Sequence, residues 1–188
     1  MNQVIDKSYS RANFVLESNI QHAFSIKEFR SYTTFLPLTG VAAGGVFGID
    51  LATAGTDEPV LFTIDFEGLS SSNFGLAEII LPDNYVDGSS LSLWVRGKTT
   101  SVPEVDAGID AQIYKSDGDG TLGSDLVTGA EVPLTNVLKS CGFGINGTSL
   151  SRGDKLQIAL SLRVNDTGGN GSLLGFIYFA ALYFDIRA

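Results

Sequence analysis

The acidic, glycine-rich stretch at residues 117–125, DGDGTLGSD, has the spacing that comes closest to a known binding loop. Its glycines fit the G-x-G-x-x-G pattern of dinucleotide-binding proteins, in which backbone N–H groups approach the pyrophosphate. That chemistry needs a helix directly after the glycines, because the helix N-terminus holds the anion. Gly129 and Pro133 follow soon afterwards and prevent such a helix from extending. We therefore predict a loop between strands and no nucleotide site.

The same stretch also resembles part of a calcium-binding loop. Asp117, Asp119 and Asp125 stand at positions 1, 3 and 9 of that pattern, and carboxylate oxygens are suitable ligands for Ca²⁺. The match is partial, because Leu122 replaces the usual glycine and Thr128 replaces the bidentate glutamate. An aspartate that accepts backbone hydrogen bonds in a turn is the commoner explanation. We predict no metal ion or other cofactor and leave calcium binding by this loop as an alternative.

Side chains for catalysis are scarce in this chain. His22 is the single histidine and Cys141 the single cysteine, so the sequence does not provide the ligands of a zinc site. His22 lies in the first thirty residues, and no G-x-S-x-G string indicates a Ser-His-Asp triad. Most acidic residues, such as Asp87 and Asp154, fall in turns rich in glycine or proline. We predict that the chain is not an enzyme. A glycosidase, which needs two carboxyl groups facing one groove, is the alternative.

Trp94 is the single tryptophan, and it shares a predicted strand face with Arg96. If that face were exposed, the indole ring would form a platform on which a sugar could stack. A tryptophan buried in a second layer is the more common arrangement, and we predict it here.

The elements that position these residues are predicted to be β-strands. Short runs of β-branched, aromatic and aliphatic residues alternate with Gly, Asp, Asn and Pro clusters, which is typical of an antiparallel sandwich. The chain has 188 residues, enough for one domain with one core. We predict an all-β fold, an antiparallel β-sandwich of the jelly-roll type with about eight or nine strands, over residues 31–188. The predicted strands span residues 32–38, 46–51, 60–67, 77–81, 91–99, 109–115, 143–146, 156–164 and 174–186.

Two predicted strands alternate clearly enough to define their faces. Leu91, Leu93 and Val95 lie on one face of the first, and the even-numbered positions from Leu156 to Val164 lie on one face of the second. We predict that these aliphatic faces point into the core.

The first thirty residues are predicted to form an extended or partly helical arm. This segment is too apolar for a solvated tail, and it has no cluster of turn residues. We predict that Phe14, Phe24, Ile26 and Phe29 attach this arm to a partner protein.

The last predicted strand is apolar on both faces. A strand of this kind is either central in a sheet or part of a contact between subunits. We favour a strand that is central in a sheet, and we predict that any subunit interface formed here includes Phe176, Tyr178, Phe179 and Tyr183.

Charge and hydropathy exclude two classes of partner. The formal net charge of -9 disfavours nucleic acid, since each phosphate contact needs a Lys or Arg. The most apolar run, residues 173–184, is shorter than the roughly 20 residues of a membrane-spanning helix. The N-terminus lacks the apolar region of a signal peptide, so we expect synthesis and folding in a reducing cytoplasm.

The segments LPDNYVDGSSLSLWVRGK, DAQIYKSDGDGTLGSDL and GTSLSRGDKLQIALSLRVNDTGG together resemble structural proteins of tailed bacteriophages. The likeness covers residues 78–170. It implies a capsid decoration or cement protein, made in the host bacterial cytoplasm and placed on the capsid exterior. Such a protein would bind the major capsid protein or another virion protein as a homotrimeric jelly roll.

The alternative is a carbohydrate-binding or receptor-binding module, such as a phage fibre head or a lectin-like domain. That module would bind sugar through loops around Trp94, Tyr85 or residues 117–125.

Overall fold

The computed structural model describes residues 18–31, 48–50, 59–65, 71–103, 106–116, 118–119, 121–165 and 173–186. Within these ranges the chain forms strands and one short 3-10 helix. In chain order they are β1 (Ser18–Phe24), the 3-10 helix (Ile26–Glu28), β2 (Arg30–Ser31), β3 (Gly48–Asp50), β4 (Val60–Asp65), β5 (Ser71–Ile80), β6 (Leu91–Thr99), β7 (Asp106–Ser116), β8 (Leu122–Asp125), β9 (Val132–Pro133), β10 (Lys139–Ile145), β11 (Lys155–Asn165) and β12 (Leu173–Ile186).

The strands form two antiparallel sheets that pack face to face. Sheet A has the order β10-β6-β12-β4-β3, and β1 pairs with the part of β12 that β4 does not reach. Sheet B has the order β2-β5-β11-β7-β8, and β9 pairs with β7. This arrangement confirms the predicted antiparallel β-sandwich.

The core lies between the sheets, and the alternating strands supply much of it. Leu91, Leu93 and Val95 of β6 are buried, as are the five even-numbered residues of β11 from Leu156 to Val164. Burying one aliphatic side chain of this size contributes about 1.5–3 kcal/mol, so these two strands make large contributions to folding. Both predicted core faces are confirmed.

Most predicted strands are present, with shifted ends. β6 has the predicted bounds, whereas β5, β7 and β10 begin earlier than the alternation indicated. The predicted strand at residues 32–38 lies outside the described residues. The short strands β2, β8 and β9 and the longer β1 were not predicted, because none of them shows a clear two-residue alternation.

The predicted arm contributes strands to both sheets from Ser18 onward. β1 pairs with β12 from Ser18 opposite Ile186 to Phe24 opposite Ala180. Ser25 then caps the 3-10 helix: its side chain accepts a hydrogen bond from Lys27 N–H, and its own N–H donates to Glu28 Oε2. The predicted domain boundary after residue 30 falls inside β2, which pairs with β5 of sheet B.

Three of the four residues predicted to attach the arm to a partner are buried in their own subunit. Phe24, Ile26 and Phe29 belong to the main core cluster, and Phe29 is fully buried. Side chains that fill this core are not free to dock into a groove of another protein, so this part of the prediction is corrected. Phe14 lies outside the described residues.

None of the helical segments in the described ranges has the length and apolar character that a membrane span requires.

Candidate ligand-binding face

The outer face of sheet A, which is turned away from sheet B, carries the tryptophan. β6 alternates strictly, with Leu93 and Val95 fully buried and the residues between and beside them pointing outward. Trp94 is 43% exposed in this outward row. The prediction of a tryptophan buried in a second layer is therefore wrong, since the described residues leave much of the ring open to solvent.

A glycine on the neighbouring strand allows the indole ring to lie flat. Gly142 of β10 is directly opposite Trp94 in the sheet. A Cβ atom added to Gly142 would lie 3.3 Å from Cη2, 3.3 Å from Cζ2 and 3.4 Å from Cζ3 of the indole. Three ring atoms at nearly equal distance show that one face of the benzo ring covers this glycine. The opposite face of the ring points to solvent.

Small and polar residues surround this ring. Ser140 and Gly144 are the other outward, exposed positions of β10, and Ser92 is the outward neighbour on β6. On the other side, Ala181 of β12 pairs with Trp94, and Tyr183 pairs with Ser92. The result is an aromatic surface flanked by hydroxyl groups and without bulky side chains next to it on β10.

A shallow pocket of about 270 Å³ continues the face at the Ser92 end. Thr128 lies at its edge and donates from Oγ1 to the Gly144 carbonyl at 3.2 Å. Asn146 lines the same pocket, and its Oδ1 accepts from Thr148.

From Ser92 to Lys98 the outward row of β6 spans about 20 Å, given about 3.4 Å per residue in an antiparallel strand. This length suits an extended ligand that lies along β6.

Two cationic side chains extend the row beyond the tryptophan. Arg96 is exposed, and Lys98 is half-buried with its Nζ atom 5.7 Å from the centroid of the Tyr178 ring. That separation fits a cation–π contact.

Beyond Lys98, the outer face of sheet A becomes apolar and buried. Phe62 of β4 and Phe176 of β12 stack with ring centroids 6.4 Å apart, and Phe176 also contacts Tyr178. Phe176 is only 2% exposed, so it is not available for the predicted subunit interface. Tyr178, Phe179 and Tyr183 are half-buried on β12, and their role in a subunit interface stays a prediction.

Tyr85, a predicted sugar contact, is buried in the core. Its hydroxyl donates to the Ser89 carbonyl at 2.5 Å, and burial raises the pKa of the phenol. This residue stabilises a turn and does not present its ring to a ligand.

In the loop at residues 117–125, the described aspartates accept hydrogen bonds that stabilise the local backbone. Asp119 Oδ1 accepts from the backbone N–H and the hydroxyl of Thr121, and these bonds lower the pKa of Asp119. Asp125 Oδ1 accepts from Ile113 N–H at 2.9 Å and Val127 N–H at 3.0 Å. Asp117 lies outside the described residues. Among the described residues, no three His, Cys, Asp or Glu side chains lie together as a metal site would require. β7 ends at Ser116 and β8 begins at Leu122, so Gly118 lies in a loop between strands, as predicted, and Gly123 lies within β8.

A second pocket, of about 510 Å³, lies between β1 and β5 and contains the single histidine. His22 contacts Phe24 edge to face, with centroids 4.9 Å apart. Two carboxylates line the pocket, and both have partners: Glu28 accepts from Ser25 N–H, and Glu78 pairs with Lys155 at 2.7 Å. Because both carboxylates are bound to other residues of the chain, we interpret them as groups that stabilise the fold. Cys141 is elsewhere, buried in β10, and burial raises its pKa, as expected of an unreactive thiol.

Comparison with known proteins gives a fold and no family. No family model and no curated protein matches the sequence. Among solved structures, a xylan-binding module is similar over 91% of this chain and 100% of its own, with 10% identity and a TM-score of 0.50. A protein solved in complex with β-1,4-galactotriose matches with 19% identity over 75% of this chain and 86% of its own, with a TM-score of 0.46. A carbohydrate-binding module in complex with calcium and xylotriose has 11% identity over 87% and 98%, with a TM-score of 0.42.

The similarity to the xylan-binding module places this chain in the class of two-sheet β-sandwiches. At that identity it shows the fold alone. The resemblance to phage structural proteins stays a prediction.

Proposed function

We propose that this chain is a non-catalytic carbohydrate-binding module whose ligand lies on the outer face of sheet A. The observation that carries the proposal is the Trp94 ring, which covers Gly142 with one face and presents the other to solvent. Sugars have an apolar face of C–H groups that stacks on such a ring, while their hydroxyls bind polar groups at its edge.

The surroundings of the ring support this use over a purely structural one. A large aromatic side chain gains about 1.5–3 kcal/mol when it is buried, so leaving it exposed forgoes that stabilisation. The side chains on β10 beside it are small, which leaves room for a ligand above the strand. No hydrogen bond joins the indole Nε1–H to another described residue, so none of these residues competes with a sugar hydroxyl for this donor.

The fold is compatible with this function, because a xylan-binding module has the same two-sheet architecture. A place on a virion is compatible with it too, since a receptor-binding head of a phage would also need a sugar-binding face. The capsid decoration hypothesis is less well supported, because Phe24, Ile26 and Phe29 lie in the core of their own subunit.

The test is the affinity of the chain for soluble xylan, β-1,4-galactan and polygalacturonate, measured by isothermal titration calorimetry. We expect binding to at least one polysaccharide and a loss of about 30-fold or more, near 2 kcal/mol, for Trp94→Ala. The matched control is Leu122→Ala, since Leu122 of β8 is also 43% exposed but lies in sheet B. Unchanged affinity of Trp94→Ala, or no binding by the unmodified chain, would overturn the proposal.

A further inference from the structure

The two charged side chains of β6 beside Trp94 are positive, whereas the chain as a whole has a net negative charge. The chain has 12 Lys and Arg against 21 Asp and Glu. Next to Trp94, however, the outward row of β6 continues with Arg96 and then Lys98. The outward residues opposite them on β10 and β12, from Ser140 to Gly144 and from Phe176 to Tyr183, include no carboxylate; the first on β12 is Asp185.

Arg96 differs from two other arginines of the chain, which form ion pairs with described carboxylates. Arg152 pairs with Asp87 at 2.8 Å, and Arg163 pairs with Asp106 and Glu131. Among the described residues, neither Arg96 nor Lys98 has an ion pair with a carboxylate, and Lys98 Nζ lies over the Tyr178 ring. No described carboxylate therefore competes with an external anion for either cation.

The spacing places these cations one and two outward positions from the aromatic platform. Successive outward residues on an antiparallel strand are about 6.8 Å apart, so Arg96 lies beside a sugar stacked on Trp94 and Lys98 lies further along. An exposed guanidinium donates two parallel N–H bonds to a carboxylate or sulfate, which gives both affinity and orientation.

We propose that the ligand is an acidic polysaccharide, with one sugar ring stacked on Trp94 and an anionic group of the adjacent sugar bound by Arg96 and Lys98. This inference rests on the proposed function, since it specifies the ligand of the same face. The ligand extends along β6 toward Lys98. At the other end of the outward row of β6, near Ser92, the surface is neutral and rich in hydroxyl groups, and it binds the uncharged part of the polysaccharide.

The experiment compares polygalacturonate with carboxyl-reduced polygalacturonate, which keeps the backbone and loses the charge, and with a sulfated galactan. We expect the unmodified chain to bind at least one of the two anionic polymers ten-fold or more tightly than the reduced one. The preferred polymer identifies the anion as carboxylate or sulfate. Arg96→Gln should lower affinity for it about ten-fold and leave the weak affinity for the neutral polymer unchanged.

The control for net charge is Lys27→Gln, which removes one positive charge from an exposed residue of the 3-10 helix and should leave every affinity unchanged. Arg96→Lys keeps the charge without the planar fork and should restore part of the loss. Equal affinity for neutral and anionic polymers, with sensitivity to Trp94→Ala, would overturn this inference and leave the proposed function standing. An equal effect of Arg96→Gln on both polymers would also overturn it. Binding to neither anionic polymer would overturn this inference, and the proposed function would fall with it only if soluble xylan, β-1,4-galactan and the reduced polymer were not bound either.

Discussion

On the outer face of each sheet, a glycine lets a larger side chain lie across its strand, but that side chain differs between the two faces. In sheet A, Gly142 lets the Trp94 ring lie flat across β10. In sheet B, Gly108 of β7 lets Glu131 cross the strand: a Cβ atom at this glycine would lie 2.3 Å from Oε1 of that carboxylate. The first arrangement leaves an aromatic ring open to solvent. The second brings a carboxylate to Arg163, whose Nε donates to Glu131 Oε2 at 3.0 Å.

The difference is between a face whose charges are paired within the chain and the face on which we propose that a ligand binds. On the outer face of sheet B, Arg163 donates to both Glu131 and Asp106, and these bonds raise the pKa of the guanidinium. Lys155 and Gln157 similarly bind Glu78. On the outer face of sheet A, Arg96 has no such partner among the described residues. Charge-assisted hydrogen bonds are stronger than neutral ones, so those of Arg163 contribute to the stability of the chain, whereas removal of Arg96 breaks no such bond to a described residue.

The largest effect that would test this comparison is expected at the two arginines. Arg163→Ala should lower the free energy of unfolding by about 2 kcal/mol, because it removes charged hydrogen bonds and leaves two carboxylates without their cation. Arg96→Ala should change it by less than ~0.5 kcal/mol, as for an ordinary surface position. Urea unfolding of both variants at neutral pH measures the difference. Equal losses of stability would show that the two faces do not differ in this respect.

A smaller effect is expected at the two glycines. Gly108→Ala should displace Glu131 from Arg163 and lower the free energy of unfolding by about 1 kcal/mol. Gly142→Ala needs only a small movement of the exposed Trp94 ring, so the change should stay within ~0.5 kcal/mol. Thermal unfolding followed by circular dichroism is sufficient for this pair. A greater loss for Gly142→Ala than for Gly108→Ala would contradict the assignment of roles.

Local alternation was sufficient to predict the sandwich and the inward faces. From Leu91 to Val95 of β6 and from Leu156 to Val164 of β11 each inward residue is aliphatic, so a period of two residues identifies both the strand and its buried side. The same pattern placed Trp94 and Arg96 on one outward face, which the structure confirms. These features depend only on neighbours in sequence, which is why they could be predicted.

Features that depend on distant partners could not be predicted in the same way. β1 is held by β12 at the other end of the chain, and Phe24 and Phe29 are buried by residues far from them in sequence. The segment looked like an arm because its own pattern is irregular. The flat orientation of the Trp94 ring likewise depends on Gly142 in another strand. A search for glycines opposite aromatic residues in neighbouring strands would have indicated it, once the strand pairing was known.

The smallest expected effect concerns Asp110 of β7, on the outer face of sheet B. Burial raises its pKa above the usual value of 3.8, and the charges of Glu131 and Asp125 raise it further, although Ala111 N–H donates to it at 2.9 Å. The folded chain therefore binds this proton more tightly than the unfolded chain does. Stability contributed by the protonated form is present below pH 3.8 and is lost as the pH rises through the folded-state pKa.

Asp110→Asn should consequently stabilise the chain at pH 7, by less than ~1 kcal/mol because the carboxylate keeps contact with solvent. The gain should vanish below pH 3.8, where the aspartate is protonated in both states. Asp106→Asn provides the control with the opposite sign, since the hydrogen bond from Arg163 lowers the pKa of Asp106 and makes its charged form stabilising. Urea unfolding of both variants from pH 3 to pH 7 distinguishes them. A loss of stability for Asp110→Asn at neutral pH would contradict this prediction. It would show that the charged form of Asp110 stabilises the fold, as the carboxylates bound to Arg163 do.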